Sequence, residues 1–369
     1  MGNMLVDWTT IENFVHDAFL AVGVPDEDAK IVTDVLVESD RRGIVSHGVN
    51  RFKPIYIDRI LKGIQNPVTK FEIIRETPTT AVVDGHDGMG QVISYKAMNL
   101  AIEKAKKYGM GMVAVKNSTH YGIAGYYTTM ATEQGMIGIT GTNARPSTAP
   151  TFGVENMLGT NPLTFGLPTD EDFPFVLDCA TSTIQRGRIE VYARGNKKVP
   201  EGLVIGNDGN SLTDSNEILT ALTRGEAALA PLGGIGEEMG GYKGYGYSVV
   251  VEILSAALQQ GHFMKMLSGI GNDGKAVPHR LGHFFIAIDT KAFMGEDEFR
   301  KTAGDILRSL RASKKAPGED RIYTAGEKEY LEWQKNKHSG VEINESVQEE
   351  FSNVKKQFNL LKYTFPWEK

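Results

Sequence analysis

The sequence predicts an α/β fold: a central mixed α/β domain bracketed by a helical domain built from both chain ends. Three observations carry this. Apolar residues between 9 and 63 recur every three to four positions. Short Val- and Ile-rich runs at 81–83, 111–115 and 137–140 alternate with helical stretches at 92–107 and 124–134. From about residue 296 the chain is charged and helical again. The implied boundaries are 1–76 for the N-terminal helical part, 77–234 for the α/β domain and 235–369 for the C-terminal helical part, with a strand near 283–289 able to return to the sheet.

Each element has a local reason. Thr9 and Glu12 have capping-box spacing, and Phe14, Val15, Ala18, Phe19 and Val22 form an apolar stripe that ends at Gly23. Pro25 opens a second helix, with Asp26, Glu27 and Asp28 favourable to its dipole and Ile31, Val32, Val35 and Leu36 on its inner face. A third helix is expected from near Ser46 to Gly63, carrying Phe52, Ile55, Tyr56 and Ile60. Residues 163–165 and 175–177 add strands. The stretch 195–241 is rich in Gly, Asn and Asp and reads as loops. Tyr245 to Leu258 is helical, and Phe284 to Ile288 is an apolar run of strand type.

The 369 residues suffice for a large core. Forty basic against 46 acidic residues give a net charge of −6, which argues against nucleic acid as the main partner. Cys179 is a single thiol, so no internal disulfide can form. No apolar run approaches the roughly 20 residues of a membrane span. The start lacks the pattern of a signal peptide, which makes cytosol the expected compartment.

Three segments carry candidate chemistry. In Ser46-His47-Gly48-Val49-Asn50-Arg51, a helix starting near Ser46 would place His47 and Arg51 on one face. An imidazole exchanges protons near neutral pH, and a guanidinium fork grips a carboxylate. Together they suit a 2-oxo or 2-hydroxy acid; the bland alternative is a surface His and a solvated Arg. His120 follows a strand, where ligands of α/β folds gather, or it serves as a turn residue. Asp178 also follows a strand and either orients an imidazole or caps a turn, while Thr181, Ser182 and nearby N–H groups suit a phosphate. Gly269 to Gly274 fits G-x-G-x-x-G, but no strand precedes it and Pro278 interrupts the helix, so it is no dinucleotide fingerprint. Gly240 to Gly246 lacks Walker spacing. His279 and His283 are four apart, but Pro278 and Gly282 break the ligand helix, which favours a structural role.

Taken in order, these pieces resemble the malate/L-lactate dehydrogenase family, which also includes sulfolactate, ureidoglycolate and 2,3-diketogulonate oxidoreductases and is unrelated to the Rossmann-type lactate and malate dehydrogenases. The resemblance covers roughly residues 5 to 345. It rests on Ser46–Val49 with Arg51, Asn117–Gly122, Leu158–Pro162, Leu177–Ser182, Val199–Gly202, Pro231–Gly234 and Tyr242–Gly246. It implies a homodimer and a non-Rossmann α/β domain binding NAD or NADP. His47 matches the family's acid/base histidine, His120 a second active-site histidine that serves as acid/base in some members, and Arg51 the carboxylate-binding arginine, beside Ser46. Asp178 matches the aspartate that supports the catalytic histidine. Asn143, Asp178, Cys179, Ala180, Thr181, Ser182, Leu232, Gly233 and Lys243 fall at cofactor-contacting positions. The family's Pro-Gly-Glu appears here as Ala325-Gly326-Glu327, which places Gly326 and Glu327 at cofactor contacts. Arg145 stands where small residues are more usual and is a second anion anchor or a surface residue.

The implied reaction is reversible hydride transfer between NAD(P)H and a small 2-oxo acid, with oxaloacetate/malate favoured. Lactate, sulfolactate, ureidoglycolate and cyclic-imine carboxylates are alternatives with the same carboxylate clamp. A non-catalytic nucleotide-binding relative is the alternative outside enzymes. A Ser46 hydrolase lacks a nucleophile elbow.

Overall fold

The computed structural model describes residues 2–368. The chain opens with β1 (Met4–Val6), α1 (Trp8–Ala21) and α2 (Asp26–Arg41), and after several tight turns reaches α3 (Asp58–Leu61). The central part runs β2 (Glu72–Glu76), β3 (Thr80–Asp84), α4 (Gly90–Tyr108), β4 (Met110–Ser118), α5 (Ala124–Thr132), β5 (Met136–Thr142), β6 (Leu163–Leu167) and β7 (Phe175–Cys179). A peripheral unit holds α6 (Arg186–Arg194), β8 (Val204–Gly206), α7 (Ser215–Arg224) and β9 (Ala227–Leu229). The last third contributes α8 (Gly241–Ala256), β10 (Leu281–Asp289), α9 (Glu296–Ala312), α10 (Glu327–Asn336), β11 (Val341–Ile343) and α11 (Glu345–Gln357).

The expected mixed α/β fold is present. Among the described residues seven strands form one sheet in the order β2-β3-β4-β10-β5-β6-β7. Only β3 and β4 run parallel; every other neighbouring pair in it is antiparallel. The late strand β10 lies at the sheet centre, between β4 and β5, because its run Phe284-Phe285-Ile286-Ala287 is apolar on both faces. Val113, Val115 and Phe285 of the sheet are buried in one cluster with Ala97 of α4 and Tyr127 of α5. A second core joins the two chain ends: Phe14 of α1 meets Phe351 of α11 at 5.0 Å and Phe365 edge-on at 5.0 Å.

Three local expectations are corrected. Asp7, not Thr9, caps α1, accepting the Thr10 N–H at 2.9 Å, so the helix starts early enough to bury Trp8. The third helix does not run from Ser46. Short turns at Val45–His47 and Val49–Arg51 are separated by Gly48, whose ψ of −149° breaks the helical path. Phe52–Ile57 then winds as a π-helix that absorbs Pro54, which has no N–H to donate. The stretch 195–241 is not all loop: Asp214 caps α7 by accepting from Asn216 and Glu217, and Gly225 closes it at φ 73°. Those strong end signals frame a helix too short for composition to reveal, and it packs Ile218 against Ile189, Val204 and Leu229. Among the described residues no helix is long and apolar enough to cross a membrane.

Candidate active site

The turn after α2 is shaped by Asp40. Its buried carboxyl accepts the Val49 N–H at 2.8 Å. A Cβ on Gly48 would lie 2.0 Å from Asp40 Oδ1, so only glycine lets the loop close over this carboxyl. Burial pushes the Asp40 pKa up to about 7. The closed turn sets Ser46 Oγ 2.9 Å from His47 Nδ1 and brings Arg51 Nε to donate to the Ser46 carbonyl at 2.6 Å. His47 and Arg51 thus meet through a folded loop rather than along one helix face. The outer nitrogens of the Arg51 guanidinium pair with no carboxylate among the described residues.

His120 arrives from β4. Thr119 locks this corner, donating to the Gly88 carbonyl at 2.8 Å and accepting the Gly90 N–H at 2.9 Å. The rings of His47 and His120 then stack with centroids 5.7 Å apart and 18° between planes. Tyr56 Oη lies 2.6 Å from His120 Nδ1, and the Gly122 N–H points at the same nitrogen from 3.3 Å. An amide N–H can only donate, so Nδ1 accepts, the Tyr56 hydroxyl donates, and the ring proton resides on Nε2. Burial, with the neighbouring Arg51 charge, pushes His47 down to about 4. Burial also holds His120 well below its usual value, reinforced by repulsion from a protonated His47 and from the charges of Arg59 and Arg51. Both imidazoles are neutral at pH 7.

Asp178 ends β7. Its Oδ2 accepts the Gly125 N–H at 2.7 Å, capping α5, and its Oδ1 accepts from Thr164 Oγ1 at 2.9 Å. Neither oxygen bonds a histidine among the described residues. The carboxyl lines a cavity of about 980 Å³ with Ile44, Arg42, Ile123, Gly125, Gly326 and Trp333. Its wall includes Ile44 and Ile123, each three residues in sequence from His47 and His120 respectively, while neither histidine nor Arg51 lines it.

The other expected positions fall in two groups. Gly326, at φ 89°, lies so close to β7 that a Cβ would come within 2.9 Å of the Val176 nitrogen. Glu327 is buried, accepts the Thr324 N–H at 3.0 Å and pairs with Arg321. Thr181, Ser182, Leu232 and Gly233 form one adjoining wall: the Leu232 N–H donates to the Thr181 carbonyl at 2.8 Å, and Gly233 packs on the Gly240–Gly241 backbone. Ser182 Oγ donates to the Ile184 carbonyl, and Asn143 bridges His262 and Gly282, so these polar groups are engaged internally. Cys179 and Ala180 are half-buried, while Lys243 and Arg145 are exposed. His279 bonds the Leu267 carbonyl, and His283 bonds Thr142 and stacks on Tyr121 at 4.6 Å. Gly271 to Lys275 closes a tight turn, not a phosphate loop.

Residues 6–352 match the family model described as malate/L-lactate dehydrogenase. The chain belongs to the malate/L-lactate dehydrogenase family. Malate dehydrogenase of Pyrococcus horikoshii is 44% identical over 345 residues, spanning 94% of this chain and 93% of that protein. L-sulfolactate dehydrogenase of Methanocaldococcus jannaschii is 38% identical over 349 residues, spanning 95% and 96%. The crystal structure of malate dehydrogenase from Entamoeba histolytica superposes with a TM-score of 0.94 at 46% identity and covers 99% of each chain. The chain is thus an oxidoreductase of the hydroxy-acid dehydrogenase type.

Within this family member, sequence reasoning missed three site residues. Tyr56 fits the apolar core pattern of the sequence, and Arg42 and Arg59 stand in no motif there. Tyr56 and Arg59 lie five and eight residues after Arg51, a spacing that marks a shared surface only once the π-turn is known.

Proposed function

We propose that this chain is an NAD- or NADP-dependent dehydrogenase interconverting malate and oxaloacetate. One observation carries the proposal: an Arg51 guanidinium without a carboxylate partner stands beside two neutral, stacked imidazoles. Arg51 grips the substrate carboxylate through its free nitrogens. His120 offers its Nε2–H to the oxygen on C2. His47 moves the proton, because Ser46 Oγ can either donate to or accept from its Nδ1. The exposed Arg145 favours a substrate with a second anion.

The residues present fit a dinucleotide. The cavity is of the size of a cofactor site. Asp178 and the backbone at Gly326 would hold the cofactor, with Cys179, Ala180, Leu232, Gly233 and Lys243 on the adjoining surface. When bound, the nicotinamide supplies or accepts the hydride. Asn143, Thr181, Ser182 and Glu327 hold the walls in place.

The proposal includes a homodimer. Tyr247, Val250 and Ile253 form an exposed apolar stripe on α8, between 47% and 58% accessible, that suits a second copy.

The test is oxidation of NADH and NADPH with oxaloacetate, pyruvate, 3-sulfopyruvate and a cyclic-imine carboxylate. Oxaloacetate is expected to give the highest kcat/KM. No turnover of any 2-oxo acid would overturn the reading.

A further inference from the structure

Arg59 follows Tyr56 by three residues on the continuous run from Phe52 into α3, so the two side chains share a face. Tyr56 reaches His120 at 2.6 Å, which brings Arg59 to the same side of the site. The Arg59 charge acts on His120 and Tyr56 and also on Arg145 and His279. The side chain is half-buried. Among the described residues it forms no side-chain hydrogen bond and no ion pair; its neighbour Asp58 is taken by Lys53 at 2.9 Å. A guanidinium drawn partly out of water with no counter-charge is costly, and an anionic ligand removes that cost. Arg145 is also without a carboxylate partner.

The site therefore has two cationic poles. Arg51 and the Ser46 loop form one, and Arg59 with Arg145 forms the other, and the charges of Arg51 and Arg59 both reach His120. A 2-oxo monocarboxylate needs only the first. A 2-oxo acid bearing a carboxylate or sulfonate on C3 carries two anions separated by a short carbon chain. We infer that Arg59, backed by Arg145, binds the C3 anionic group of a dianionic 2-oxo acid and sets the enzyme's preference for such substrates. This rests on the proposed 2-hydroxyacid dehydrogenase activity. Two relatives described above are named for malate and for sulfolactate, which share this second anion.

The experiment measures kcat/KM for oxaloacetate, 3-sulfopyruvate and pyruvate in the wild type, Arg59→Gln and Arg59→Lys. In Arg59→Gln the ratio of either dianion to pyruvate is expected to fall about 30-fold or more, mainly through KM, with Arg59→Lys recovering part of it. The ratio within one variant does not depend on the fraction folded. Loss of one dianion alone identifies which group the pole accepts and supports the inference. Equal losses on all three substrates, or no loss, overturn it and leave the dehydrogenase reading standing. In parallel, malonate is expected to raise the wild-type Tm more than acetate does, and to lose that advantage in Arg59→Gln. If the wild type turns over no 2-oxo acid, the functional reading fails, and the malonate shift alone decides the role of Arg59: no advantage over acetate in the wild type overturns it.

Discussion

Gly48 shows how little freedom the site has. It sits against the buried Asp40 carboxyl, and a methyl group there must displace that carboxyl or the loop carrying His47. Gly48→Ala is expected to cut kcat/KM at least tenfold while thermal unfolding stays cooperative, measured by steady-state kinetics and calorimetry on the same preparation. Asp40 also gives a pH signature. Its folded pKa, about 7, lies above the unfolded value of 3.8. The stability it contributes is fully present below the unfolded value and is lost as pH rises through about 7. Asp40→Asn keeps an acceptor for the Val49 N–H and cannot ionise, so its Tm should exceed the wild type's more at pH 8 than at pH 5. The histidines move oppositely. His47 titrates near 4, below its usual 6.5, so the neutral form needed to accept a proton survives well below neutrality. The acid limb of kcat/KM for hydroxy-acid oxidation should therefore lie below pH 6, as read from a pH profile of the free enzyme. A limb near 6.5 would contradict the burial of this pair.

Among elements, the helices from the two chain ends depend on each other. Phe365, fully buried, packs edge-on against Phe14 and at a tilt against Phe351. Phe365→Ala is expected to cost about 3–5 kcal/mol, measured by denaturant unfolding. This partnership was legible, because helical periodicity recurs at both ends and apolar stripes must find partners. Ser46, His47 and Arg51 were legible as a cluster for a partly mistaken reason. Their spacing suggests a helix, whereas Gly48 and the hydrogen bond that the Val49 N–H donates to the Asp40 carboxyl bring them together. The π-turn at Phe52–Ile57 was invisible to a 3.6-residue period, and so were the places it gives Tyr56 and Arg59. For Asp178 the sequence leaves two readings, orienting an imidazole or capping a turn; its bonds go to Gly125 at the start of α5 and to Thr164, the latter a contact set by sheet register that no local pattern encodes.

Across the whole molecule, the sheet and the two-ended helical layer meet at the histidine pair, with His120 supplied by the first and His47 by the second. On the outer face of α8, Tyr247, Val250 and Ile253 leave apolar surface that a second copy would cover. Val250→Glu combined with Ile253→Glu should halve the mass measured by light scattering; an unchanged mass would place the contact elsewhere. The central claim is that this junction binds a 2-oxo acid carboxylate through Arg51. Its most direct test is kcat/KM for oxaloacetate in wild type and Arg51→Ala. A fall of about 100-fold with the fold intact is the predicted result; an unchanged value would contradict the account.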